Sequence, residues 1–219
     1  LAPRLGERMG GLLGQLQTDH GVDLRCGVQV DGLEGDRRVT GVRLADGTRI
    51  AADLVVVGIG VRPATRWLES SGLDLEDGVR CDASCAASHE GVVAAGDVAR
   101  WYNPLFERHM RIEHWTHAVE QAEHAARTLL AGREEAEPFE SAPLFWSDQY
   151  GIKIQFAGDA RPDDALHICH GQPEDRRFVA LYERAGRLVG ALAFARPAQL
   201  IRYRQKIQAR MSIQDSLPS

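Results

Sequence analysis

Apolar residues near the start of the chain recur with the spacing of a helix. This spacing predicts a helix from Leu5 to His20, since one face would carry the apolar side chains Leu5, Met9, Leu12, Leu13 and Leu16. Gly21 follows directly and suits the left-handed position at which many helices end. The chain is therefore expected to open with an amphipathic helix.

The pattern then changes to that of strands. Three short strands are predicted over Val28–Val30, Arg38–Leu44 and Thr48–Ile50. Asp46-Gly47 separates the last two and is a strong hairpin signal. We expect this meander to lead into a buried strand at the wholly apolar run Leu54–Val57, because strands covered on both faces have such runs.

The middle of the chain alternates between the two patterns. A short helix is predicted near Thr65–Ser70 and a short, fully buried strand over Val92–Ala95. A loop is expected from Arg100 to Arg111. The long amphipathic segment Thr116–Leu130 then predicts a helix, and Pro138 marks the next boundary.

The last third of the sequence is rich in strand patterns. Strands are predicted over Ile152–Phe156, Leu166–His170, Phe178–Arg184 and Arg187–Phe194. Ala185-Gly186 makes the last two a hairpin, and a helix is expected over Leu200–Met211. This order indicates an α+β unit of antiparallel strands with a helix at its end.

Candidate chemistry first arises where the predicted strand Val92–Ala95 ends in Gly96 and Asp97. Strands of doubly wound folds bind nucleotides at their carboxyl ends. A glycine there lets a ligand approach the backbone, and the Asp carboxylate can accept hydrogen bonds from sugar-like hydroxyl groups. The alternative is a turn or helix-capping Asp in any α/β protein.

Charge restricts the classes of function. The chain has 219 residues and a net charge of −5, and an acidic protein lacks the basic face that nucleic-acid binding requires. Residues 1–140 carry 15 Lys+Arg against 23 Asp+Glu, whereas residues 141–219 carry 11 against 8. The positive end is either an ordinary solvated face or a surface that attracts an acidic protein.

Neither a membrane span nor a metal site is predicted. The longest apolar runs are far too short to cross a bilayer. The histidines at positions 114, 117 and 124 have no cysteine close enough in sequence to complete a zinc site. The four cysteines form no Cys-x-x-Cys motif, and we interpret them as reduced thiols of a cytoplasmic protein.

Five motifs occur in an order that resembles the FAD-dependent NAD(P)H:ferredoxin reductases of bacterial cytochrome P450 and ring-hydroxylating oxygenase systems. The motifs are Arg4-Leu-Gly-Glu-Arg8, Gly58-Ile-Gly-Val-Arg-Pro63, Ala94-Ala-Gly-Asp97, Arg111-Ile-Glu-His-Trp115 and Phe145-Trp-Ser-Asp-Gln149. The last is specific to this putidaredoxin/rhodocoxin reductase-like branch, whereas the Gly-Asp motif is common to many flavin disulfide reductases. The resemblance covers nearly the whole chain and thins after about Arg196.

The resemblance implies the glutathione reductase fold. The expected class is α/β, with partial doubly wound nucleotide-binding domains followed by an α+β C-terminal interface domain. Residues 1–62 would be the C-terminal half of the nicotinamide-binding domain, 63–140 the C-terminal part of the FAD-binding domain and 141–219 the interface domain. Neither of the family's Gly-x-Gly-x-x-Gly turns is present, so we interpret the chain as the C-terminal part of a longer protein and expect both turns upstream of Leu1.

The resemblance also implies a flavin site. Gly96 and Asp97 would hold the ribityl chain of FAD, Trp115 would lie along the isoalloxazine ring, and Thr116 would place helix N–H groups near the carbonyl edge of the ring. The alternative for Trp115 is a core tryptophan at a helix entrance. No side chain is assigned a catalytic acid or base role.

The nicotinamide cofactor, NAD(P)H, would use four other residues. Trp146 would face the flavin where nicotinamide stacks, and Glu113 would contact the carboxamide or ribose. Ile59 and Gly60 would offer their backbone to the dinucleotide. The alternatives are an interdomain packing role for Trp146 and an ordinary surface role for Glu113.

The expected function is electron transfer from NAD(P)H through FAD to a ferredoxin, an iron–sulfur protein. Another flavoenzyme of the same fold, such as an NADH oxidase or a nitrite reductase subunit, is the rival enzyme. The chain taken by itself could also be an inactive structural or docking module. The acceptor protein and the choice between NADH and NADPH stay open.

Overall fold

The computed structural model describes residues 2–218, which form two compact units. One unit is Gly11–Val61, and the other combines the residues up to Gly10 with the chain from Arg62 onward. Leu1, the first residue of the first predicted domain, and Ser219, the last residue of the last one, lie outside the described residues. The predicted domain boundaries after residues 62 and 140 stay predictions.

The first helix, α1, spans Ala2–Thr18, so the predicted helix is confirmed with both ends displaced by a few residues. Gly6 interrupts its helical backbone with a φ of 77°. At the other end, Gly21 has a φ of 82°, and its N–H donates to the carbonyl of Thr18 at 3.0 Å. Glycine tolerates this left-handed conformation, as expected for a residue that ends a helix.

Within the unit Gly11–Val61, three antiparallel strands form a small sheet. The strands are β1 (Val30–Glu34), β2 (Gly41–Leu44) and β3 (Arg49–Ala51), in the order β1-β2-β3. The predicted Asp46-Gly47 hairpin is confirmed, with the Thr48 N–H donating to Asp46 Oδ1 at 2.8 Å. This local hydrogen bond stabilises the turn between β2 and β3.

The prediction of a buried strand at Leu54–Val57 is wrong for this structure. The run forms no strand, and Leu54, Val56 and Val57 are 80%, 87% and 65% exposed. Within the described residues, no strand pairs with this run. An apolar sequence favours a buried strand only where neighbouring strands and covering helices surround it.

The chain from Arg62 onward begins with a second sheet, of order β4-β5-β6. Its strands are β4 (Val79–Cys81), β5 (Ala99–Asn103) and β6 (Arg108–Met110); β4 and β5 are parallel, and β5 and β6 are antiparallel. The short helix predicted near Thr65–Ser70 is a 3₁₀ turn at Arg66–Leu68. The long helix α2 then spans Trp115–Ala131, as the amphipathic pattern predicted.

Two predictions in this region are corrected. Val92–Ala95 is half-buried and forms no strand, with only Val93 in an isolated bridge to Ala86. The expected loop from Arg100 to Arg111 is mostly the β5–β6 hairpin. The side chain of Asn103 stabilises the turn of this hairpin, since Oδ1 accepts a hydrogen bond from the Leu105 N–H at 3.1 Å.

The last part of the chain folds into a five-stranded antiparallel sheet of order β7-β8-β11-β10-β9. The strands are β7 (Leu144–Gln149), β8 (Ile152–Gly158), β9 (Ala165–Gln172), β10 (Arg177–Arg184) and β11 (Arg187–Phe194). Helix α3 (Pro197–Gln208) packs on this sheet around a core that includes Val179, Leu181, Leu188, Leu200 and Ile207. The predicted strands, the Ala185-Gly186 hairpin and the terminal helix are confirmed.

Polar contacts join α2 to the five-stranded sheet. The Thr116 hydroxyl donates to the carbonyl of Leu144 at 2.9 Å. Arg204 on α3 donates to both carboxylate oxygens of Glu120 at 2.7 and 2.9 Å and to the carbonyl of Ala142 at 2.8 Å. Both bonds to Glu120 come from Nη2, and charge-assisted hydrogen bonds of this kind are stronger than neutral ones. Together with the Thr116 contact, they hold α2 against β7 and α3.

No helix in the described part of the chain combines the length and apolar character that crossing a membrane requires.

Candidate functional site

The Gly96–Val98 segment forms a 3₁₀ turn that lies directly on α2. Gly96 is buried with a φ of 71°, and a Cβ at this position would lie 3.3 Å from the Cβ of Ala118. Its N–H donates to Oε1 of Gln121 at 2.8 Å. Both the backbone conformation and the close approach to the helix favour glycine here.

Asp97 follows the glycine and points away from these buried contacts. The residue is exposed, and its carboxylate accepts no hydrogen bond from another described residue. Its backbone carbonyl accepts a hydrogen bond from Arg111 Nη1 at 3.3 Å. An open carboxylate on a held backbone can accept hydrogen bonds from the hydroxyl groups of a ligand.

Arg111 connects the turn with the segment that precedes α2. Besides Asp97, it contacts Oε1 of Glu113 at 2.5 Å and Oδ1 of Asp77 at 3.2 Å. The sequence analysis placed Arg111 in a motif but assigned it no role. The two-residue spacing of Arg111 and Glu113 was the available signal, since alternate residues of an extended segment project to the same side.

Helix α2 begins without a side-chain cap, because His114 makes no capping hydrogen bond. The first N–H groups of a helix have no partner within the helix, and the helix dipole places partial positive charge there. Trp115 at this end is 75% exposed. The start of α2 can therefore interact with an electron-rich, flat group.

Strand β7 places Trp146 beside this helix start. The ring of its neighbour Phe145 packs against His114, with centroids 4.9 Å apart. Because successive side chains of a strand point to opposite faces, Trp146 is directed away from that contact, and it is 44% exposed. The exposed part of this indole is available for stacking.

A cavity of about 550 Å³ opens beside these residues. Its lining includes Arg111, Glu113, His114 and Phe145, together with the Arg108–Asp159 ion pair. Burial and the nearby Arg4 lower the pKa of His114, although Glu113 and Asp97 oppose the shift. The imidazole of His114 is therefore neutral at neutral pH.

The structure brings five of the eight predicted site residues together around the start of α2: Gly96, Asp97, Glu113, Trp115 and Thr116. Trp146 lies on β7, two residues beyond Leu144, whose carbonyl accepts the hydrogen bond from Thr116. Ile59 and Gly60 belong to the other compact unit. There Ile59 is 90% exposed and Gly60 has a φ of 96°, and the roles of both residues stay predictions.

Two buried polar residues of α2 were missed by the sequence analysis. Gln121 holds the Gly96 N–H, and His117 is 1% exposed between Trp101 and Phe139, with ring centroids 4.6 and 5.6 Å away. Burial, together with the charges of His114 and Arg204, lowers the pKa of His117 to about 4. The available signal in the sequence was the helical spacing that places His117 and Gln121 on the same face of α2 as the buried Ala125.

His124, Cys81 and Cys85 are engaged in local contacts. His124 contacts the carbonyl of Glu137 through Nε2 at 2.9 Å. Burial raises the pKa of Cys81 to about 11 and that of Cys85 to about 12, so both are protonated thiols. Over residues 2–218, no three His, Cys, Asp or Glu side chains are grouped to hold a metal ion.

These features fit a flavin on three counts. The Asp97 carboxylate is open to hydroxyl groups, the start of α2 is open to carbonyl oxygens, and Trp115 and Trp146 present aromatic surface. All of these groups belong to the compact unit that includes the chain from Arg62 onward. The chain thus holds a set of groups that matches the sugar chain and the ring of one flavin.

Residues 1–122 match the family model described as pyridine nucleotide-disulphide oxidoreductase. Residues 144–217 match a second model, described as reductase C-terminal. The first match covers more than half of the chain, and the chain therefore belongs to the pyridine nucleotide-disulphide oxidoreductase family. The second match coincides with the five-stranded sheet and α3.

Similar proteins are named as ferredoxin reductases. The chain is 34% identical over 205 residues to putidaredoxin reductase CamA of Pseudomonas putida, covering 92% of this chain and 48% of that protein. It is 36% identical over 192 residues to the 5,5'-dehydrodivanillate O-demethylase ferredoxin reductase subunit of a Sphingobium species, covering 86% and 46%. The chain spans about half the length of these relatives.

A solved structure of the covalent putidaredoxin reductase–putidaredoxin complex is also similar. It superposes with a TM-score of 0.87 at 30% identity and covers 99% of this chain and 53% of that one. These comparisons confirm the resemblance that the five motifs predicted. They also confirm the α/β class of the fold.

The buried His117 predicts an acid-sensitive stability. Its pKa is about 4 in the folded chain and about 6.5 in the unfolded chain, so the unfolded chain binds more protons between these pH values. The free energy of unfolding should therefore fall by up to about 3 kcal/mol as the pH drops from 6.5 to 4. His117→Phe should remove this part of the pH dependence in urea unfolding measurements.

The exposed His89 offers a control for this measurement. His89→Gln removes a histidine at an exposed position outside α2, so it controls for the general effect of replacing a histidine. Parallel profiles for wild type and His117→Phe would contradict a buried, neutral His117.

Proposed function

We propose that the whole protein to which this chain belongs is an FAD-dependent NAD(P)H:ferredoxin reductase. It passes electrons from NAD(P)H through FAD to a ferredoxin that feeds a cytochrome P450 or an oxygenase. The observation that carries this proposal is the Gly96–Asp97 turn held against α2, with an open Asp97 carboxylate and a helix start that has no side-chain cap. The ferredoxin reductase names of the relatives support it.

Asp97, Trp115 and Thr116 would bind the flavin. The open carboxylate of Asp97 accepts hydrogen bonds from the ribityl hydroxyl groups. The backbone N–H groups at Thr116 face the carbonyl edge of the ring, where the helix dipole favours negative charge. Bound FAD would supply the chemistry that converts a two-electron hydride donor into a source of single electrons.

Trp146 and Glu113 would serve the nicotinamide. The exposed indole of Trp146 offers its face to the cationic oxidised ring. Glu113, held by Arg111 at the rim of the 550 Å³ cavity, accepts a hydrogen bond from the carboxamide or the ribose. Ile59 and Gly60 would add backbone contacts to the same dinucleotide.

The partner would be an acidic iron–sulfur protein. Residues 141–219 carry 11 Lys+Arg against 8 Asp+Glu, and a positive surface accelerates encounter with an acidic protein. The similar structure of a reductase joined to putidaredoxin supports a partner of this class. A cytoplasmic location for the protein stays a prediction.

Three measurements on the purified, complete protein test the proposal. The protein should show the visible absorption of bound flavin, NADH or NADPH should bleach it, and a small ferredoxin should then be reduced faster than oxygen or nitrite. Preferential reduction of oxygen or nitrite would instead identify another flavoenzyme of the family. A colourless protein that binds no added FAD would overturn the proposal.

Asp97→Ala should weaken FAD binding in the complete protein. A hydrogen bond to a charged group contributes about 1.5–3 kcal/mol, which corresponds to about ten-fold to hundred-fold in affinity. Fluorescence titration of the apoprotein with FAD measures the change. Asp163→Ala, which removes an exposed aspartate far along the chain, is the matched control, and equal affinities for the two variants would count against Asp97.

Trp146→Ala should slow reduction of the flavin by the nicotinamide while the fold persists. Loss of an aromatic stack is worth about 0.5–1.5 kcal/mol, a change of about two-fold to ten-fold in nicotinamide affinity. Stopped-flow reduction at several nicotinamide concentrations reports this affinity. Trp67→Ala removes another exposed indole as a control. A large drop in melting temperature with an unaltered reduction rate would instead assign Trp146 to packing.

A further inference from the structure

Gln121 is an amide fully enclosed within the face of α2 that packs against the rest of the protein. It is 0% exposed, although glutamine is mostly found on protein surfaces. Both polar atoms of the amide have partners. Oε1 accepts a hydrogen bond from the Gly96 N–H at 2.8 Å, and Nε2 donates to Cys85 Sγ at 3.7 Å. Its polar atoms are therefore committed to the segment that carries the Gly96–Val98 turn.

The turn needs this partner because of the conformation of Gly96. With a φ of 71° and the helix directly beside it, the Gly96 N–H points into the protein and away from water. A buried backbone N–H without a partner is strongly unfavourable. The hydrogen bond to Gln121 thus determines how closely, and in which orientation, the turn sits on α2.

The position of Asp97 follows from that of Gly96. Beyond Gly96, the Asp97 backbone is held at its carbonyl, which accepts a hydrogen bond from Arg111 Nη1 at 3.3 Å. The same helix that carries Gln121 presents Trp115 and Thr116 at its first turn. Gln121 therefore links the carboxylate and the helix start, the two parts of the surface that would face a flavin.

We propose that Gln121 is a positioning residue that sets the spacing between the Asp97 carboxylate and the start of α2, and thereby the affinity for FAD. Gln121 itself touches no ligand, and the inference rests on the proposed function. It acts by holding the Gly96 N–H, so loss of its acceptor oxygen releases the turn. The contact with Cys85 keeps the amide in the orientation that directs Oε1 to Gly96.

A purely structural role is the competing explanation, and the chain provides a matched comparison for it. Thr128 lies two turns further along α2, is also buried, and donates through Oγ1 to the carbonyl of Ser84 at 2.7 Å. It ties the same helix to the same loop, but away from the turn. Thr128→Val should therefore cost stability without moving Asp97.

The experiment compares Gln121→Met, Gln121→Glu and Thr128→Val in the complete protein. Methionine keeps the length and helix preference of glutamine but removes the acceptor, whereas glutamate keeps an acceptor oxygen. FAD affinity is measured by titration of the apoprotein. Hydrogen exchange of the Gly96 amide is measured on the same apoprotein by NMR, so that one readout needs no flavin.

Gln121→Met should weaken FAD binding by about five-fold, the change that corresponds to loss of one hydrogen bond of average strength. It should also accelerate exchange at Gly96 by about ten-fold or more, because the amide loses its protection. Gln121→Glu should recover most of both properties. Thr128→Val should lower the melting temperature but leave FAD affinity and Gly96 exchange at the wild-type values.

Equal losses of FAD affinity in Gln121→Met and Thr128→Val would overturn the proposal, because general destabilisation would then explain both. Unchanged Gly96 exchange in Gln121→Met would overturn it as well. A wild-type protein that binds no FAD would instead refute the proposed function. The exchange comparison would still decide in that case whether Gln121 holds the turn.

Discussion

The contact between the Gly96 N–H and Gln121 determines where the candidate site can form. A left-handed glycine brings the loop against α2, and the buried amide of Gln121 satisfies the N–H that this conformation turns inward. At its first turn, the same helix is fixed to β7 through Thr116, and one turn further it is fixed to α3 through Glu120 and Arg204. Helix α2 is thus the common support of the turn and the sheet.

The tryptophans differ in burial, and this difference distinguishes a packing role from a binding role. Trp101 is 0% exposed and donates through Nε1 to the carbonyl of Phe139 at 3.1 Å, which satisfies the polar atom of a core aromatic. Trp115 at the start of α2 and Trp146 on β7, in contrast, remain 75% and 44% exposed. Large exposed aromatic surface on a rigid support is typical of a place where a ligand or a partner binds.

Predictions from the sequence were correct where a structure depends on residues that are close together in the chain. The hairpin turns at Asp46-Gly47 and Ala185-Gly186 each contain a glycine with positive φ, a conformation that glycine adopts readily. The runs Leu54–Val57 and Val92–Ala95 failed as buried strands, because a strand requires partners that an apolar run cannot specify. The β5–β6 hairpin was missed since its turn uses Asn103 and Pro104 rather than a two-residue glycine turn.

The sequence by itself determined the α/β class, the antiparallel C-terminal sheet and the motifs that hold Asp97, Glu113, Trp115 and Trp146. These properties depend on periodicity and on residues that stand close together in the chain. Only the tertiary structure decided that Gln121 holds Gly96, 25 residues away, and that Arg111 joins Asp97 to Glu113. The reason is that a buried polar group is defined by its partner, and folding brings that partner from a distant part of the chain.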